Sequence, residues 1–127
     1  MPMTYDLANK LANATLRNQS YTSPGNVYAA LYSTAPTVST SGTELTGNGY
    51  ARVEATFSNP ANASITTNAN VIIGPCTGNN WPTVVSFGIV DASTAGNIMY
   101  IKNISGRNIV IGDSFVIDGG NLTITIS

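Results

Sequence analysis

Histidine is missing from this chain altogether. That removes the commonest general base near neutral pH, the Ser-His and Cys-His nucleophile pairs, and most zinc and copper sites. Cysteine occurs once, at Cys76, so no intramolecular disulfide can form. Its neighbours in IIGPCTGNN include no Lys or Arg to lower the thiol pKa, and the expectation is a small, inert, partly buried residue. Charge is scarce too, at 9% of residues against about 25% in ordinary soluble domains. With five Lys and Arg in total and a net charge of -1, the chain cannot supply the clustered cations that neutralise a phosphate backbone. Nucleic acid is not an expected partner. No run of about 18 or more apolar residues occurs, and the N-terminus lacks the basic-then-apolar profile of a secretory signal. The expectation is a protein that is soluble and intracellular when made, with no membrane partner.

What is abundant is neutral polarity: Ser, Thr and Asn make up roughly a third of the 127 residues. This length suits one domain, 1–127, able to bury a core without metal or disulfide staples. Residues 1–20 are expected to form an N-terminal helical segment and 21–127 a β-sandwich. Within TYDLANKLANATLRN, Met3, Leu7, Leu11 and Ala14 recur at a spacing of three or four, Thr4 can cap the N-terminus, and Asp6 and Arg17 suit the two ends of the dipole. This is an amphipathic α-helix with one apolar stripe.

Beyond the turn signal TSPGN the pattern shifts to short β-rich runs at 27–32, 50–57, 63–73, 83–91, 97–104, 108–111, 114–117 and 122–127. Gly, Asn, Asp or Pro separates most of them, which argues for a mainly β fold, an antiparallel β-sandwich or barrel-like architecture. Gly112-Asp113 and Gly119-Gly120-Asn121 have the length and residue types of tight hairpins, so the last three runs are expected to form a meander. Leu122, Ile124 and Ile126 alternate with Thr123, Thr125 and Ser127, one face buried and one wet. The polar stretch from Ser33 to Asn48 reads as an unusually long loop.

Catalytic chemistry finds little to work with. Asp113 and Asp118 flank one run and Asp91 follows another, a pattern that suits turn residues bonding nearby amides better than an acid-base pair. An apolar strand splits Asp113 from Asp118, so no compact calcium loop is encoded. GNGYAR, 47–52, lacks the third glycine, preceding strand and following helix of a dinucleotide fingerprint. Neither a catalytic residue nor a metal or cofactor site is assigned, and the chain is expected not to be an enzyme. Sequons at Asn13, Asn18, Asn62, Asn103 and Asn121 are what a chain this rich in Asn, Ser and Thr produces by chance. Trp81 reads as a core or rim residue, or else as an interface anchor or a sugar-stacking platform.

Four blocks taken in order, LANKLANATLRNQSYTSPGNVYAALYSTAPT, GTELTGNGYARVEATF, NNWPTVVSFGIVDASTAGNIMY and the terminal LTITIS, resemble a family of small tailed-phage virion proteins. Members of that family carry labels such as tail fibre protein and head decoration (cement) protein. The resemblance runs essentially end to end and is most specific in GTEL...GYAR...TF and W..V..FGI.DA.T.GN. One departure is Ala95-Gly96, where relatives tend to read a double glycine.

The resemblance implies a virion structural protein, made in the host cytoplasm and assembled with copies of itself, as a trimer, and with the major capsid protein or another virion protein. Capsid decoration is the favoured placement, because the chain is short and has no shaft of heptads or β-repeats. A short tail fibre, baseplate component or tail adaptor is the alternative, followed by a carbohydrate-binding module. The candidate assembly contacts are Leu7 and Leu11 on the helix, Glu44 in the long loop, Tyr50 and Arg52 at the entry to the next strand, and Trp81. Arg52 is expected either to meet a carboxylate, Glu44 or one on a neighbouring copy, or to stand in solvent.

Overall fold

A computed structural model describes residues 2–125. Helix α1, Tyr5–Leu16, starts where the capping chemistry places it: Leu7 N–H donates to the Thr4 hydroxyl oxygen at 3.4 Å, Asp6 lies in the first turn, and Lys10 reaches back to Asp6 at 3.0 Å. It ends at Leu16 and not near residue 20. Asn18 turns into the left-handed region at φ 54°, and Gln19 N–H closes back on the Asn13 carbonyl at 3.1 Å. Of the expected stripe, Leu7 is buried, Leu11 and Ala14 are half-buried, and Met3 lies ahead of the helix, bridged to Tyr100.

The rest is antiparallel β structure. Strands β1 (Val27–Thr34), β2 (Thr43–Glu44), β3 (Val53–Ala55), β6 (Val84–Val90) and β7 (Ile98–Arg107) make one five-stranded sheet in the order β2-β1-β6-β7, with β3 also on β1. Because β6 takes one edge of β1, β2 and β3 must share the other: β3 pairs with Val27–Ala29 and β2 with Tyr32 and Thr34. Facing this sheet are two ribbons, β4 (Ser64–Thr66) with β9 (Thr123–Thr125), and β5 (Val71–Ile73) with β8 (Phe115–Ile117). Ala29, Leu31, Phe87 and Ile89 from the sheet meet Val71, Ile73, Phe115 and Ile124 from the ribbons in a common core. On the sheet's other face Ala30, Tyr32 and Val90 form a second cluster, to which Tyr28 and Ile98 pack.

Several sequence expectations are corrected here. The last three runs do not form a meander: 108–111 is not a strand, β8 pairs with β5 and β9 with β4. The Gly112-Asp113 turn exists, closed by Asp113 N–H to the Val110 carbonyl at 2.9 Å, but the turn chemistry says nothing about distant partners. The run 63–73 divides into β4 and β5 at Thr67, whose buried backbone serves Leu122 and Gly120. The supposed loop 33–48 is partly sheet, since β1 continues to Thr34 and β2 folds back on it. The 50–57 run keeps ladder pairing only over Val53–Ala55. The alternation of buried Leu122 and Ile124 with exposed Thr123 and Thr125 is as read from the sequence; Ile126 and Ser127 lie outside the described residues.

Candidate functional site

After β2 the chain leaves the edge of β1, with Leu45 N–H still donating to the Leu31 carbonyl at 3.0 Å and the Leu45 side chain dropping into the core. Gly47, Asn48 and Gly49 then all take positive φ, and Tyr50 N–H closes the turn on the Gly47 carbonyl at 3.0 Å. Glycine at 49 is also forced by proximity, for a Cβ there would lie 2.5 Å from the Pro75 carbonyl oxygen. The opposing segment grips the turn from its side: the Asn48 carbonyl accepts both Thr77 N–H at 2.9 Å and Trp81 Nε1–H at 2.8 Å.

This turn delivers Tyr50 and Arg52 to Glu44. The Tyr50 hydroxyl donates to Glu44 Oε2 at 2.5 Å and accepts Leu31 N–H at 3.0 Å. Arg52 makes a two-pronged contact, Nε to Oε2 and Nη2 to Oε1, each at 2.8 Å. Its remaining nitrogen, Nη1, donates to the Ala92 and Ala95 carbonyls at 2.8 and 2.7 Å, tying the β6–β7 turn into the same node. The pair is mostly out of water, with side-chain exposures of 11% for Arg52 and 25% for Glu44. Burial by itself would push the Glu44 carboxyl up, but the Arg52 and Tyr50 hydrogen bonds and the Arg52 charge hold it below the usual carboxylate range. The hydrogen bond to Glu44 correspondingly raises Arg52, while burial first and Glu44 second raise the Tyr50 phenol.

Four of the six candidate residues therefore come together. Glu44, Tyr50 and Arg52 form the node, and Trp81 stands edge-on to Tyr50 with ring centroids 5.8 Å apart at 88°. With 5% exposure and its indole N–H engaged on Asn48, Trp81 belongs to the core, and the sugar-platform reading fails for lack of an open ring face. Leu7 and Leu11 lie apart, on α1. Every polar group of Arg52 and Glu44 that the node uses is directed at a partner in the same chain, so the arrangement behaves as a staple between β2, the 45–52 turn and the 91–97 turn. Among the described residues no group of three or more Cys, Asp and Glu side chains is placed to hold a metal ion. Asp91 Oδ1 accepts Asn97 N–H at 2.7 Å, and the Asp113 and Asp118 carbonyls accept Cys76 and Asn121 N–H at 2.8 and 3.0 Å. All three lie at turns; Asp91 bonds a nearby amide through its side chain as expected, whereas Asp113 and Asp118 act through their backbone carbonyls. Cys76 is fully buried, its thiol directed at the Asn79 carbonyl.

The sequence reading passed over one further feature, a groove of about 380 Å³ between the end of β7 and β8, with Lys102 and Arg107 on its lining. The available signal was that two of only five cations fall on one strand.

Residues 2–125 match the family model described as Podophage GP4 fiber I protein gp80. The chain belongs to this family. No curated protein matches it. Membership in the fiber I family makes the chain a phage virion structural protein, which accords with a polar node already saturated by its own neighbours. The Glu44–Arg52 staple is then an architectural device of a fiber I chain, holding the 45–52 and 91–97 turns against the sheet.

Proposed function

We propose that this chain is a compact module of a phage fibre, attached to the virion through copies of itself and one other virion protein. The observation that carries the reading is the match of 124 residues, 2–125, to a family named for a fibre protein. Its N-terminal helix supports an assembly role. Leu7 is the only residue of α1 that is fully buried, Leu16 at its end is 84% exposed, and Tyr5 at its start is 59% exposed. Apolar side chains left in water on one short helix suit a contact made between chains. Homotrimeric assembly through α1 is part of this reading, with Leu7 and the half-buried Leu11 fixing the helix to its own body and Tyr5 and Leu16, eleven residues apart and so on one helix face, turned to a neighbour.

Capsid decoration is the second reading. Its support is the shape of the chain: the longest strand has ten residues, and no repeating shaft is present among the described residues to carry a tip away from the particle. A cryo-EM reconstruction of the virion separates the two, since density for this fold at the tail supports the fibre module and density over the capsomers supports decoration. Removal of residues 1–18 is expected to abolish oligomer formation and virion incorporation; retention of both would exclude α1 as the contact.

A further inference from the structure

The outer edge of β7 is covered at its beginning by the N-terminal arm. Thr4 N–H donates to the Met99 carbonyl at 2.9 Å and Ile101 N–H to the Pro2 carbonyl at 3.1 Å, so Met99 and Ile101 aim their backbone groups at that edge. Strand alternation aims Asn103 the same way, while the Lys102 carbonyl, turned toward β6, accepts the Ser86 hydroxyl at 2.9 Å. Among the described residues nothing pairs with Asn103 on the outer side. On either side of Asn103, Lys102 and Ile104 to Arg107 line the 380 Å³ groove, whose other wall is β8. The two layers of the sandwich are not joined at this seam, and the groove floor is core: Phe87, Ile104, Phe115 and Leu122. The Arg107 guanidinium stands over the Phe115 ring, 5.0 Å from its centroid.

An unpaired strand edge, an apolar floor and two cations at the rim are together the elements of strand addition. We infer that this groove accepts an extended segment of a different protein, which adds to the β7 edge with alternate apolar side chains on the floor and carboxylates against Lys102 and Arg107. The charge pattern selects the occupant. Lys10 and Arg52 are engaged with Asp6 and Glu44, whereas Lys102 and Arg107 make no ion pair among the described residues. A second copy fits poorly, because the acidic residues of this chain, at 6, 44, 54, 91, 113 and 118, never fall at alternate positions; with Asp118 also on the lining, the groove keeps an excess of one positive charge. The inference is independent of where on the virion the chain resides.

The test uses the full chain and a short capped peptide alternating Glu with Val, followed by calorimetry and backbone amide shifts. Binding is expected, with shifts centred on Lys102, Asn103 and Val116. The Lys102→Glu, Arg107→Glu double variant should weaken it about tenfold and turn the preference toward the peptide with Lys in place of Glu. Asn103→Pro, which removes an outward N–H at an edge position where proline is tolerated, should weaken binding without changing the melting temperature. If that variant proves unstable, a peptide N-methylated at alternate residues asks the same question and should fail to bind. No binding, equal binding of acidic and basic peptides, or shifts elsewhere would overturn the inference. So would self-association of the unaltered chain that the double variant abolishes, since the occupant would then be a second copy.

Discussion

The hydroxyl of Tyr50 stands in for a strand carbonyl opposite Leu31, accepting that residue's N–H at 3.0 Å. Leu31 lies in the gap on β1 between the stretch paired with β3 and the stretch paired with β2, and it is wholly buried. A backbone N–H in that position requires a partner, and a side chain supplies it where no strand runs. Tyr50→Phe keeps the edge-on contact with Trp81 but leaves Leu31 N–H unpaired and removes a donor from Glu44. The expected loss is about 1–3 kcal/mol of unfolding free energy, read by denaturant melts. A loss below the error of the measurement would mean that water replaces the hydroxyl.

Arg52 holds two structures at once, the Glu44 carboxylate and the carbonyls of the 91–97 turn. A lysine keeps the charge but not the planar fork, so it can serve one side and not both. Arg52→Lys is expected to cost about 1–3 kcal/mol. Faster hydrogen exchange at Asn97, at the far end of the turn, checks that the damage reaches the β6–β7 turn and not only Glu44.

Acid should loosen the staple. Since Glu44 is held below its ordinary value of 4.5, the unfolded chain binds this proton more tightly than the folded one, and stability rises with pH through this range. The contribution is complete above 4.5 and is lost as pH falls through the lower folded value. On the alkaline side, burial first and the Glu44 charge second push Tyr32 from 10.0 up to about 12, so its contribution is present below 10 and lost as pH rises through about 12. Denaturation midpoints measured across pH should show both limbs. Glu44→Gln should flatten the acid limb, and an unchanged acid limb would place the titrating group elsewhere.

Two alanines adopt the left-handed backbone conformation, Ala63 at φ 62° and Ala95 at φ 54°. Ala63 follows Asn62, also at positive φ, in a two-residue turn whose flanking Ala61 and Ser64 exchange both backbone hydrogen bonds at 2.9 Å. That geometry favours glycine in the second position. Relief of about 1–2 kcal/mol of steric cost, against the added freedom of an unfolded glycine, leaves a net gain of about 0.5–1 kcal/mol for Ala63→Gly and for Ala95→Gly. A higher melting temperature for each single variant checks this.

Local signals in the sequence were read correctly where the physics is local. Thr4 caps α1, and Leu122 and Ile124 alternate with Thr123 and Thr125; for Arg52 the sequence left Glu44, a neighbour's carboxylate and solvent open, and the fold selects Glu44, eight residues away. What failed was long-range. Gly112-Asp113 has hairpin chemistry, yet the strand after it pairs with β5, more than forty residues back, because Phe115 and Ile117 lie beside Ile73 and Val71 and complete with them the layer that faces the sheet. Thr43–Glu44 carries too few residues to announce a strand and forms one only because β1 offers an edge. Trp81 as an anchor and Trp81 as core have the same sequence signature; the Asn48 carbonyl, supplied by a turn 33 residues away, decides between them. The groove beside β7 exists only once two sheets have met, so no stretch of sequence shows it.

The central claim is that this fiber I chain is a fibre module and not a coat for the head, and copy number tests it most directly. Quantitative mass spectrometry of purified virions, scaled to the major capsid protein, should give a small number of copies set by the symmetry of the tail. A count approaching that of the capsomers would contradict the fibre assignment and make the chain a decoration protein.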